Sequence, residues 1–194
     1  MIHGDSKDGL AALTGGPSIA LDHKESDVET LWNLLLHHDS QGDYMQVNTD
    51  GVNDQVQNSV GAAMNHVFSV LKAQELSNGV QLIQLRNPWG KEKYHGPWSD
   101  ESELWTEELA EEVDLVVDNN DGLFWTDIDT YIDNFAETTI SYDATNWSTS
   151  KFLKINDQTD KAGKKPTCGE TCTAHEFKLT SDVDQKVFIT AHTW

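Results

Sequence analysis

His66 and Asn87 are the pair in this 194-residue chain whose types and spacing point to chemistry. Each sits at the end of a strand-like run: His66 opens 66–71, and Asn87 follows 80–86. Between the runs lies Ser77-Asn78-Gly79, a turn signal that joins them as an antiparallel hairpin. Side chains alternate faces along a strand, so His66, Phe68 and Val70 share one face, and Ile83, Leu85 and Asn87 share another. With an even loop the two faces coincide. If that loop is Leu76 to Gly79, His66 opposes Trp89 and lies diagonal to Asn87, about 7–8 Å away at the backbone. The same spacing also fits two unrelated polar residues at strand ends. A histidine held by an asparagine is the base-and-orienter half of a Cys–His–Asn peptidase site. On this reading the amide oxygen accepts the Nδ1 proton and aims Nε2 at a thiol. In the usual order the nucleophilic cysteine precedes the histidine. No cysteine precedes His66; the two cysteines are Cys168 and Cys172.

The elements that must position this pair follow from local signals. Ser26 with Glu29 forms a capping-box pair. Val28, Leu31, Trp32 and Leu35 then recur at helical spacing, which predicts a helix ending near His38. Residues 1–24 are patternless, and 39–62 read as a long polar connection. Glu107 to Glu112 reads as a solvated helical face. Thr126 with Asp129 caps a further helix carrying Ile128, Tyr131, Ile132 and Phe135. The texture changes near residue 144. Short strands at 152–155, 175–179 and 186–190 follow, in a segment of about 50 residues where a full β-sandwich takes about 100.

Composition narrows the function classes. Thirteen Lys and Arg face 33 Asp and Glu, a formal charge of −20. A nucleic-acid binder needs a basic surface to neutralise phosphates, and an anionic membrane repels such a chain. Seven Trp and six Phe argue for a packed core. No apolar run approaches the roughly 18–20 residues of a membrane helix, and the N-terminus lacks a signal-peptide core. A reducing, cytoplasmic compartment is therefore expected.

Longer words around the pair carry a resemblance. Asn65-His66-Val67-Phe68-Ser69-Val70, Leu85-Arg86-Asn87-Pro88-Trp89-Gly90, His95-Gly96-Pro97-Trp98-Ser99-Asp100 and Asp121-Gly122-Leu123-Phe124-Trp125 stand in order and at the right spacing. Through them residues 65–142 resemble the second half of the calpain catalytic region, the papain-like subdomain that supplies His and Asn. Leu13-Thr14-Gly15-Gly16 and the helix bearing Leu31-Trp32 and Leu34-Leu35 look like the family's segment upstream of the histidine. The tail from Trp147 looks like the start of the following β-sandwich.

The resemblance implies an intracellular cysteine endopeptidase, regulated by calcium in many members. It makes His66 the general base, Asn87 its orienter and Trp89 the indole that shields their bond. The Cys-bearing subdomain matches nothing here, so the chain by itself is expected to be inactive. The family usually has Gly where Asn65 stands, and Asn lacks Gly's backbone freedom. The resemblance also places a calcium site at Asp100, Asn119 and Asp121, with Lys93 and Leu123 where the pattern has Glu. Calcium takes six to eight oxygens, several of them anionic, so the site is expected to be degenerate and calcium binding weak; no other cofactor is implied.

The fold expectation is therefore α+β. A papain-like His/Asn subdomain over 1–143, with a mostly antiparallel curled sheet and flanking helices, precedes a partial β-sandwich over 144–194. The functional expectation is a fragment of a calpain-type endopeptidase. Its partners would be a protein substrate and a Cys-bearing subdomain, with neither nucleic acid nor membrane. The alternative is a non-catalytic protein-binding module. Two lesser groups carry metal alternatives. His37, His38 and Asp39 read as a helix end or a metal site. Cys168 and Cys172, with His175 and His192, read as free thiols, a local disulfide or a zinc site.

Overall fold

A computed structural model of the chain describes residues 6–145 except Glu92 and Asn119. These fall in one compact unit, Met1–Asn146. The expectations for the 146–194 segment, its cysteines included, and for Asn119 lie outside the described residues.

The fold is α+β: an open six-stranded antiparallel sheet with four helices. The helices are α1 (Ser6–Thr14), α2 (Val28–Gln41), α3 (Glu107–Glu112) and α4 (Ile128–Asn134). The strands are β1 (Ser18–Asp22), β2 (Tyr44–Asn48), β3 (Val67–Glu75), β4 (Gln81–Arg86), β5 (Leu123–Asp127) and β6 (Glu137–Ser141). Their order across the sheet is β1-β6-β2-β3-β4-β5, with every neighbouring pair antiparallel. Among the described residues no helix is long and apolar enough to cross a membrane.

One face of the sheet carries the main core. Met45 and Val47 of β2, Phe68 and Val70 of β3, Leu85 of β4 and Ile140 of β6 meet Leu31, Trp32 and Leu35 of α2 and Tyr131 of α4. These are the apolar positions at helical and alternating spacing, so burying them removes the largest apolar area from water. A second cluster joins Leu82 of β4 and Trp125 of β5 to Leu76, Trp98, Leu109 and Val113. Leu82 and Ile83 are adjacent and both buried, as are Phe124 and Trp125, because β4 and β5 are covered on both faces.

Several local expectations change. Asp27, rather than Ser26, caps α2, its carboxylate accepting the Thr30 N–H at 3.1 Å. Ser26 Oγ instead donates to the Asp22 carbonyl at 2.7 Å. Likewise Asp127 caps α4, because Thr126 is a buried strand residue whose hydroxyl accepts from Tyr94. The helix from 26 runs past His38 to Gln41 and ends on Gly42 at φ +73, the left-handed cap glycine takes without cost. Inside the stretches read as patternless or connecting lie α1, β1 and β2.

The hairpin holds the most consequential difference. Its connection is the five residues 76–80, since Glu75 pairs with Gln81. An odd connection alone would put the faces of β3 and β4 out of phase. A bulge at Leu71, between the Val70↔Leu85 and Lys72↔Gln84 pairs, takes up one residue of β3 and restores the phase. Beyond the bulge, Phe68 and Leu85 both face the main core, and the rows they head end at His66 and Asn87.

Candidate active site

His66 immediately precedes β3 and is clamped at its backbone. Its N–H donates to Thr49 Oγ1 at 3.2 Å, and its carbonyl accepts the Thr49 N–H at 3.0 Å. Asn65 before it sits at φ +48. This left-handed conformation is the one a glycine takes freely, and asparagine is among the few other residues that adopt it readily. Asn65 thus leads into His66 through a backbone conformation that a glycine would also allow. The imidazole packs edge-on against buried Phe68, ring centroids 4.9 Å apart.

Asn87 follows β4 and is 7% exposed. Its Oδ1 lies 3.0 Å from His66 Nε2 and 3.1 Å from the backbone nitrogen of Trp89. A backbone N–H can only donate, so the Asn87 atom is the acceptor oxygen and His66 Nε2 carries the proton. This corrects the expected polarity: Nε2, not Nδ1, meets the amide. The ring stands edge-on to Phe68 with Nε2 toward the end of β4. Nδ1 has no protein partner among the described residues.

Trp89 lies against the other side of the ring, centroids 4.2 Å apart and planes tilted by 38°, with 49% of the residue exposed. The structure thus brings His66, Asn87 and Trp89 together: a half-buried imidazole, a buried amide and an indole open to solvent.

The acidic positions are arranged differently. Asp100 is buried, and its Oδ2 accepts the Asp118 N–H at 3.0 Å. Burial, with the charges of Asp121, Asp118 and Glu101 adding to it, pushes its carboxyl above the usual range against the opposing Asp118 bond. Asp121 turns its Oδ1 to the Leu123 N–H at 2.7 Å. Lys93 is exposed. Lys24 pairs with Asp50 at 3.4 Å on the surface, and among the described residues no group of three or more His, Cys, Asp or Glu is placed to hold a metal. Gly122, read in the sequence only within the word Asp121 to Trp125, accepts the Asn87 N–H at 2.8 Å through its carbonyl, a role not assigned to it from the sequence. A glycine two residues before a buried aromatic was the available signal.

The His38–Asp43 pair was also missed. His38 Nδ1 lies 2.7 Å from Asp43 Oδ2 with both side chains buried, and Asp43 Oδ1 accepts the Asp143 N–H at 2.7 Å. The helix-end reading of His38 and the metal reading were both local; the partner comes from beyond the helix.

Comparison with known proteins matches the sequence that carries this site to a family. The family described as calpain family cysteine protease matches residues 1–142. The chain is 33% identical over 126 residues to the calpain-type cysteine protease DEK1 of Zea mays, covering 61% of this chain and 6% of that protein. It is 32% identical over the same length to the calpain-type cysteine protease ADL1 of Oryza sativa subsp. japonica, with the same coverages. With Calpain-5 of Mus musculus it shares 28% over 145 residues, covering 63% of this chain and 23% of that protein. The chain therefore spans under a quarter of the length of these relatives. A match over residues 1–142, including the histidine and asparagine just described, places the chain in the calpain family of cysteine proteases.

Proposed function

We propose that this chain supplies the base-and-orienter half of a calpain-type cysteine endopeptidase. The observation that carries the reading is the 3.0 Å contact between His66 Nε2 and the buried Asn87 Oδ1. With the Nε2 proton held by the amide, Nδ1 is the nitrogen available to take a thiol proton. The imidazolium so formed would stabilise the thiolate and later protonate the leaving amine. Asn87 keeps the ring in one tautomer through the cycle, and Trp89 limits water access to the bond. The thiol and the oxyanion donors would come from a Cys-bearing subdomain, because neither Cys168 nor Cys172 precedes His66 as the family order requires. The 194 residues alone would then be inactive, since members of such a site act as a unit. The substrate would be protein, in the cytoplasm. The calcium site of this half would be degenerate.

The test is casein cleavage by the isolated chain, with and without calcium, and again after addition of a Cys-bearing calpain subdomain. We expect no cleavage by the chain alone and cleavage by the mixture that is lost with His66→Ala. Cleavage by the isolated chain that His66→Ala abolishes would overturn the inactive half. A mixture indifferent to His66→Ala would overturn the role of the base. The half-exposed Trp89 supports the second reading, a non-catalytic protein-binding module, because an exposed indole is a common interface anchor. That reading gains if the mixture stays inactive while Trp89→Ala weakens capture of the added subdomain.

A further inference from the structure

Gly122 opens the turn into β5 at φ +76 and touches the other side of Asn87. Its carbonyl accepts the Asn87 N–H at 2.8 Å. A Cβ on Gly122 would stand 2.6 Å from the Asn87 carbonyl oxygen, 3.1 Å from Gly90 Cα and 3.3 Å from Lys91 N. All three neighbours are backbone, so no side-chain rotation relieves the contact. The same Asn87 carbonyl accepts the Gly90 N–H at 3.0 Å, which closes the turn bearing Trp89. Gly122 is itself fixed from beyond: Asp121 Oδ1 accepts the Leu123 N–H at 2.7 Å, and Leu123 pairs with Arg86. The backbone of Asn87 thus has a bond and a steric wall on one side, and its amide has His66 on the other.

We propose that Gly122 is a positioning residue for His66, acting through the backbone of Asn87. The proposal rests on the reading of His66 and Asn87 as base and orienter. A side chain at 122 must push the Asn87 carbonyl aside, and the accompanying shift of the Asn87 Cα moves the side chain that bears Oδ1. The bond to His66 Nε2 then lengthens and the ring loses its fixed tautomer. Gly122 touches no substrate on this account; it sets the seat of the residue that sets the base.

The experiment is nitrogen-15 spectroscopy of the His66 ring in the intact chain, above the pH at which histidine is neutral. In the wild type Nε2 should be protonated and Nδ1 bare. In Gly122→Ala the two nitrogen shifts should converge, and exchange of the ring proton with water should rise about tenfold, the factor expected when one hydrogen bond is lost. Gly79→Ala is the control: Gly79 also has a positive φ, +84, but nothing lies within 4 Å of its added Cβ. That variant should melt lower and leave the His66 signals unchanged. A Gly122→Ala ring spectrum matching wild type, or an equal change in Gly79→Ala, would overturn the proposal. Should Gly122→Ala fail to fold, the wild type still decides. A through-bond coupling between Asn87 N and the Gly122 carbonyl carbon is required, and its absence would refute the seat. These readouts need no activity, so they stay separate from the fate of the base. If the casein mixture is indifferent to His66→Ala while Gly122→Ala shifts the ring, the base reading falls and the positioning stands.

Discussion

The Trp89 indole and the His66 imidazole lie with centroids 4.2 Å apart, and about half of Trp89 faces solvent. The ring therefore packs on two aromatics, Phe68 from the core side and Trp89 from the solvent side. Aromatic pairs of this kind contribute about 0.5–1.5 kcal/mol beyond their buried area. Trp89→Ala should cost about that much in denaturant unfolding and speed exchange of the His66 ring proton. A loss near 4 kcal/mol, typical of a buried Trp, would show that Trp89 is a core anchor instead.

The second prediction concerns acid. His23 is buried; its Nδ1 donates to the Phe135 carbonyl at 2.8 Å and its Nε2 lies 2.7 Å from Thr138 Oγ1. Thr138 is in turn bonded to the buried hydroxyl of Tyr131, at 2.6 Å. Desolvation holds the imidazole below its ordinary value of 6.5, against the opposing bond to Phe135 and the charge of Asp22. Below pH 6.5 the unfolded chain takes up a proton that the folded chain refuses. Stability is therefore full above that pH and falls as pH drops toward the folded value, by at most about 1.4 kcal/mol per pH unit. Unfolding curves between pH 7.5 and 5 should show this slope in the wild type and a shallower one in His23→Gln. Equal slopes would remove His23 from the account.

Asp100 has the opposite sign of linkage. Its carboxyl is raised in the fold, chiefly by burial. An acid raised above its unfolded value destabilises the fold once ionised, and this cost is relieved as pH falls through the raised value. Asp100→Asn should therefore raise the unfolding midpoint at pH 7, with the gain shrinking toward pH 4. The amide oxygen can still accept the Asp118 N–H. A lower midpoint at pH 7 would mean that the charge itself is needed.

Calcium affinity tests the same region. If the site is degenerate as proposed, calorimetric titration should show no binding below millimolar in the wild type, since neither the exposed Lys93 nor Leu123 has a carboxylate to offer. Lys93→Glu combined with Leu123→Glu should gain affinity. Micromolar binding by the wild type would refute the degenerate reading.

The His38–Asp43 pair should matter more than an exposed one. Asp43→Ala leaves a buried imidazole and the Asp143 N–H without their acceptor, and a buried donor left unsatisfied costs about 1–3 kcal/mol. Asp43→Asn, which can still accept, should cost less. Amide exchange at Asp143 should accelerate with Asp43→Ala; protection equal to wild type would show that the carboxylate does not hold that segment.

The sequence by itself determined the candidate pair, the apolar faces of α2, β3 and β4, and the family words around them. Each is a local property: alternation and helical spacing are written into neighbouring residues. Strands β1, β2, β5 and β6 were not legible, because five-residue strands with polar residues among the apolar ones carry little periodic signal until neighbours pair with them. The hairpin shows the division most closely. In the sequence, the face-sharing of His66 and Asn87 was conditional on an even loop such as Leu76 to Gly79, beside the reading of two unrelated polar residues. The structure has a five-residue connection and a bulge at Leu71, two departures of one residue each that cancel. The pairing survives because burying Phe68 and Leu85 on one face outweighs the cost of an unpaired residue, and only tertiary packing can make that choice. Which imidazole nitrogen meets Asn87 was likewise decided by packing. Phe68 and Trp89 fix the ring plane, and the Trp89 N–H fixes the amide, through contacts that no spacing in the chain encodes.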